Sequence, residues 1–160
     1  SKKFLSFSSK IQIFKKYNNF IMFDKNSWLN IKDIKLINQK EKEILKILKL
    51  FLGCKYKWGG KVFNGIDCSA LVQIFYQFNN KYFPRDTKDQ IKYSKINLKR
   101  KNFKKGDLIF WKGHVAICLN STKLIHAYGP KKKVIIMPIK RTIYQIEKTA
   151  NLKVKKISRI

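Results

Sequence analysis

Apolar positions change their period twice along this chain. Between residues 4 and 37 they come in short runs, Ile11-Gln12-Ile13-Phe14, Phe20-Ile21-Met22-Phe23 and Trp28-Leu29-Asn30-Ile31. Turn formers Asn18-Asn19 and Asp24-Lys25-Asn26-Ser27 separate them, so the pattern predicts three strands. Over 39–52 the apolar residues Ile44, Leu45, Ile47, Leu48, Phe51 and Leu52 take a helical spacing, with Glu41 and Glu43 ahead and Gly53 as a stop. A Gly-rich loop follows, then a second helix predicted over 68–78 that buries Leu71, Val72, Ile74, Phe75 and Phe78. Asp86-Thr87 after Pro84 predicts the start of a short helix reaching Tyr93. From Gly106 the period is two, and strand-length segments 107–111, 114–119, 123–128 and 134–139 are joined by short polar turns. Helices first and strands afterwards predict an α+β fold with helices packed on an antiparallel sheet.

The loop before the second helix carries the chemistry. Cys68 sits where a turn-rich segment meets an apolar helix start, and first-turn N–H groups there favour thiolate over thiol. The chain has only two histidines, His114 and His126, both even-numbered in adjacent predicted strands. An odd-length turn at Asn120-Ser121-Thr122 keeps them on one face, opposite or one diagonal apart, about 5–8 Å. A helix packed on that face brings Cys68 to one imidazole with the second behind it. The expected roles are Cys68 as nucleophile, His114 as base and then acid, and His126 holding the tautomer of His114. Cys54 and Cys118 read as inert core thiols, and Trp58 and Trp111 as core aromatics.

Composition adjusts this picture modestly. With 44% hydrophobic residues the chain folds rather than stays disordered, and no apolar run approaches the ~18 residues of a membrane span. Three cysteines without CxxC or a His/Cys cluster predict neither a disulfide scaffold nor a metal site; no cofactor is expected, and a reducing, cytoplasmic compartment is slightly favoured. Polar residues break any signal-type apolar core in residues 1–6, yet the chain lacks a starting Met. A leader or upstream domain has room to have been removed, and a periplasmic or secreted setting stays open. The net charge of +28 invites an anionic partner, but the lysines are scattered among Ile and Asn, and Arg85, Arg100, Arg141 and Arg159 are the only arginines. Solvated surface is the simpler account, and no specific nucleic acid is expected.

Read together, Tyr56-Lys57-Trp58-Gly59-Gly60, Asp67-Cys68-Ser69-Ala70-Leu71-Val72-Gln73, Pro84-Arg85-Asp86-Thr87-Lys88-Asp89-Gln90, Gly106-Asp107-Leu108-Ile109-Phe110-Trp111, Gly113-His114-Val115-Ala116-Ile117 and Ile125-His126-Ala127 resemble the NlpC/P60 family of papain-like cysteine peptidases. The resemblance covers about residues 40–140 and implies a catalytic domain over 38–160. It implies cleavage of the γ-D-glutamyl to diamino-acid bond in cell-wall peptides, with a triad on Cys68, His114 and His126. It further implies substrate contacts at Tyr56, at Asp67 and Ser69 (the free amine), and at Arg85, Asp86 and Thr87 (the D-glutamyl portion). Ala70 departs from the family's usual Gly. Residues 1–37 resemble the end of a bacterial SH3-like module, which in relatives walls off the site and favours small muropeptides. Two other readings keep part of the pattern: a thiol amidase or acyltransferase on another amide or lipid, and a basic, non-catalytic polyanion-binding module.

Overall fold

The computed structural model describes residues 5–98 and 102–159. The first residues of the possible leader, 1–4, and Arg100 lie outside them. The N-terminal part is a three-stranded antiparallel sheet: β1 (Lys15–Tyr17), β2 (Phe20–Asp24) and β3 (Ser27–Asn30), in that order. Its first strand forms later than the expected 11–14. The reason is the hairpin turn. Asn18 takes a left-handed φ of 49° and seats Tyr17 opposite Phe20 and Lys15 opposite Met22, so pairing builds outward from the turn. Ile21 is buried in this sheet, while Phe14, Tyr17 and Phe20 are exposed.

A helical layer follows. α1 (Ile44–Leu48) passes into a 3-10 turn at Lys49–Phe51, shorter than the 39–52 pattern predicts, and Gly53 at φ +81° ends it. Ile44, Ile47, Leu48 and Phe51 supply its buried side. A small hairpin, β4 (Lys61–Val62) and β5 (Gly65–Ile66), then leads into α2 (Cys68–Phe78), which has the predicted bounds. Two glycines let this hairpin close, since a Cβ on Gly60 would lie 2.3 Å from the Gly65 carbonyl oxygen. α3 (Thr87–Tyr93) begins after Asp86, whose side chain makes no capping bond.

The main sheet comes from the rest of the chain. β6 (Leu108–Trp111), β7 (His114–Cys118), β8 (Lys123–Tyr128) and β9 (Lys133–Pro138) match the four predicted strands to within a residue. Two elements are additions to the sequence reading: α4 (Ile139–Ala150) and β10 (Lys156–Ser158). The five strands pair antiparallel in the order β10-β6-β7-β8-β9. The fold is therefore α+β as expected, with a helix between the last two strands. Each face of the sheet is covered. Val115, Ile117, Ile125 and Ala127 pack with Leu71, Val72 and Ile47, whereas Ala116, Cys118, Leu124 and Tyr128 pack with Ile139 and Ile146 of α4. Buried Asp107, at the head of β6, is held by Arg159 through Nε at 2.8 Å and Nη2 at 3.0 Å. Among the described residues no helix is long and apolar enough to cross a membrane.

Candidate active site

Asp67 is what makes Cys68 the first residue of α2. Its backbone is extended (φ −98°, ψ 176°), and its Oδ1 accepts the Ala70 N–H at 2.8 Å, an N-cap bond. The same carboxylate accepts Gly59 N–H at 3.0 Å, the Ser69 hydroxyl at 3.1 Å, and Arg85 through Nη1 at 3.0 Å and Nη2 at 2.5 Å. Arg85 also donates to Ser69 Oγ and to the Gly60 carbonyl. Asp67 is thus the N-cap of α2, and its oxygens already serve five donors. Arg85 spends its guanidinium inside the protein on this pair rather than offering it freely to the cleft.

Cys68 Sγ lies 4.0 Å from Thr87 Oγ1 and 4.0 Å from the Gly113 carbonyl oxygen, the residue before His114. The two imidazoles meet: His114 Nε2 and His126 Nδ1 are 2.9 Å apart. Ile117 opposite Ile125 and Cys118 opposite Leu124 set the register, and continuing it leaves the histidines one diagonal apart. The expected packing needs correction, however. α2 covers the face of Val115 and Ile117, while the residues sharing parity with the histidines line the α4 side. The thiol lies beside Gly113, just ahead of His114 at the start of β7, and not across the sheet face.

The electrostatics also correct the sequence reading. Burial pushes the Cys68 thiol up, outweighing the opposing Val115 and Ser69 backbone groups and the Thr87 hydroxyl. Burial lowers His114 to about 4, and burial with the His114 neighbour lowers His126 to about 3. Burial thus favours the uncharged forms of the thiol and of both imidazoles. Cys118 is buried and pushed up to about 12, in keeping with an inert core thiol, and half-buried Cys54 is raised too.

A pH dependence of stability follows. In the unfolded chain the histidines titrate near their ordinary value of about 6.5. Below it the unfolded state binds protons that the folded state refuses, so the stability is complete above about pH 6.5 and falls as pH drops toward 4 and 3. Buried His126 contributes most, with the half-buried His114 adding less, on the order of a few kcal/mol together. Denaturant midpoints measured from pH 7 to 4 should fall steadily, and His126→Gln should flatten the slope. A slope unchanged by that substitution would remove His126 as its cause.

The cleft in front of the thiol has a volume of about 460 Å³ and is walled by Tyr56, Trp58, Gly59, Asp67, Cys68, Ser69, Asp86, Thr87, Lys88 and Gly113. Expected site residues Tyr56, Asp67, Ser69, Asp86 and Thr87 are all brought to this wall. Trp58 is not core: it is 81% exposed at the rim, whereas Trp111 is buried as expected. Sequence reasoning assigned no role to Lys88, although it quoted the segment that carries it. It also passed over Tyr128, whose ring stacks on His126 at 4.6 Å, and Met137, whose sulfur is 3.4 Å from His126 Nε2. The signal for Met137 was strand parity, since it pairs with Leu124 and so shares the face of His126.

A helix-start thiol that opens on a cleft, with a hydrogen-bonded histidine pair on the adjoining strands, is an arrangement suited to thiol-based hydrolysis. The chain belongs to the NlpC/P60 family, whose pattern matches residues 53–153. Dipeptidyl-peptidase 6 of Lysinibacillus sphaericus is 38% identical over 79 residues, 48% of this chain and 28% of that protein. Gamma-D-glutamyl-L-lysine dipeptidyl-peptidase of Bacillus cereus (strain ATCC 10987 / NRS 248) is 30% identical over 105 residues, 61% of this chain and 31% of the relative. This chain therefore spans about a third or less of those two relatives. The crystal structure of an NlpC/P60 family protein from Bacillus cereus ATCC 10987 superposes with a TM-score of 0.80 at 24% identity, over 97% of this chain and 55% of that one.

Proposed function

We propose that this chain hydrolyses the γ-D-glutamyl to diamino-acid amide of murein peptides, with Cys68, His114 and His126 as its triad. The observation that carries the reading is the 2.9 Å contact between the two imidazoles, with the Cys68 thiol 4.0 Å from the carbonyl of Gly113, the residue before His114. Cys68 sulfur attacks the γ-carbonyl while His114 takes the thiol proton. First-turn N–H groups of α2 face the charge that develops on the carbonyl oxygen. His114 returns the proton to the leaving amine, and water then cleaves the thioester. The bond choice is supported by the Bacillus cereus relative named for γ-D-glutamyl-L-lysine peptides.

Tyr56, Asp67 and Ser69 stand at the amine end of the substrate in this reading, and Asp86 and Thr87 at the D-glutamyl end, backed by Arg85. Because Arg85 already neutralises Asp67, the substrate ammonium gains a shared polar contact. N-acetylation of the substrate should then cost about tenfold in kcat/KM, the worth of one charge-assisted hydrogen bond. The N-terminal segment, residues 1–37, is proposed as the end of an SH3-like module ahead of a catalytic domain over 38–160. Support comes from the three-stranded antiparallel sheet β1-β2-β3 that precedes the helical layer.

Mass spectrometry after incubation with L-Ala-γ-D-Glu-diamino-acid tripeptide and, separately, intact wall tests the proposal. Free diamino acid should appear from the tripeptide; cleavage of a different amide would overturn the assignment. Kinetics on free and N-acetylated tripeptide between low and high salt add a second check. A short ligand in a cleft is screened little, so the rate should change by less than about threefold. A collapse with salt would instead favour a polyanion as the natural ligand.

A further inference from the structure

We propose that Met137 is a positioning residue, whose thioether accepts the Nε2–H of His126 and thereby decides which nitrogen of His114 is left bare for the thiol. The proposal rests on the catalytic reading of Cys68, His114 and His126. Its geometry is direct. Met137 is buried on β9, and its sulfur stands 3.4 Å from His126 Nε2. A thioether has lone pairs and no proton to give. If Nε2 were bare, two lone pairs would face each other at that distance, so Nε2 carries the proton. A neutral imidazole has one N–H, which leaves His126 Nδ1 as an acceptor. Across 2.9 Å, His114 Nε2 must then be the donor. By the same count neutral His114 keeps Nδ1 bare, and that nitrogen is the base.

The direction survives the reaction. When the S–H bond of Cys68 breaks and its proton joins His114 Nδ1, Nε2–H of the new imidazolium still donates to His126 Nδ1. No proton has to move between the imidazoles, and His126 stays neutral throughout. The surroundings add no rival partner among the ring contacts: Trp111 lies 5.5 Å from His114, and Tyr128 stacks on His126. Without the sulfur, His126 has no preference between its tautomers. The half with hydrogen on Nδ1 donates to His114 Nε2 and forces the His114 proton onto the nitrogen that should be the base.

The test keeps the packing and removes only the acceptor. Met137→Leu is one variant. A finer one replaces methionine by norleucine in a Met22→Leu background, since Met22 is the only other methionine. Side-chain ¹H–¹⁵N spectra should show His126 wholly as the Nε2–H tautomer in the parent and mixed in both variants. With half of the population left competent, kcat on the tripeptide should fall about twofold with KM unchanged, and selenomethionine should restore it. The iodoacetamide rate at Cys68 should fall in parallel. That readout separates the two claims: a parent that alkylates normally but ignores the tripeptide counts against the substrate, and Met137 is then judged on alkylation. An unchanged tautomer, or a changed tautomer with an unchanged rate of both kinds, overturns the role of Met137.

Discussion

Cys68→Ala is expected to remove measurable turnover, a loss on the order of 10⁶ in kcat, with the fold intact. Among the described residues the thiol is the one cysteine that lines the cleft, and its loss leaves a void of about one sulfur atom beside α2. The helix start does not depend on it, because the capping bond belongs to Asp67 and Ala70. His114→Ala should be equally severe, since His114 is the base assigned to take the thiol proton. His126→Ala should be milder, about 10–100-fold, because the base remains and only its orienter is gone. Assays of the three purified variants with circular dichroism controls settle the order. Residual peptidase activity in Cys68→Ala, or a His126 variant as dead as the His114 one, would break the assigned roles.

Arg85→Met should combine a stability loss with an activity loss. The guanidinium supplies two of the five bonds to Asp67, whose side chain is 10% exposed against 22% for Arg85. Removing it leaves a largely buried carboxylate beside the nucleophile, at a cost of about 2–4 kcal/mol. The freed carboxylate also places a negative charge where the oxyanion develops, so kcat should drop about 10²-fold. Asp67→Asn in the same chain should recover part of the stability, because the amide carries no unpaired charge and its one oxygen still accepts the Ala70 N–H. Denaturant unfolding of the single and double variants measures this coupling. A single variant within about 0.5 kcal/mol of the parent would class the pair with ordinary surface ion pairs.

The parts of the fold that were legible in sequence are those with a clean period and a marked boundary. α2 was read to the residue because Asp67 caps it and its apolar face repeats, and the four strands after Gly106 alternate between clear turns. α4 was missed although Ile139, Thr142 and Ile146 line its buried side, because its lysines and glutamine mask a narrow stripe. β10 is three residues long and exists through pairing with β6, a long-range cause that leaves little local trace. The proximity of the histidines followed from parity. The face on which α2 packs did not, because alternation separates two faces without saying which helix covers which. The thiol's upward shift was also hidden: a helix start is visible in sequence, whereas the burial that outweighs it comes from the folded packing around Cys68.

The main sheet is drawn wholly from residues 108–158, with α4 between its last two strands, and the helical layer that carries the thiol lies before it in the chain. Each layer thus holds half of the reactive pair: sulfur upstream, both imidazoles downstream. During synthesis the thiol leaves the ribosome some 46 residues before His114, so the nascent chain carries a cysteine with no base at its side. Two fragments divided between α3 and β6 would each be inert, and their reassociation would report itself as chemistry. Parting of the layers by heat or mechanical load would silence the enzyme before either layer lost its own hydrogen bonds.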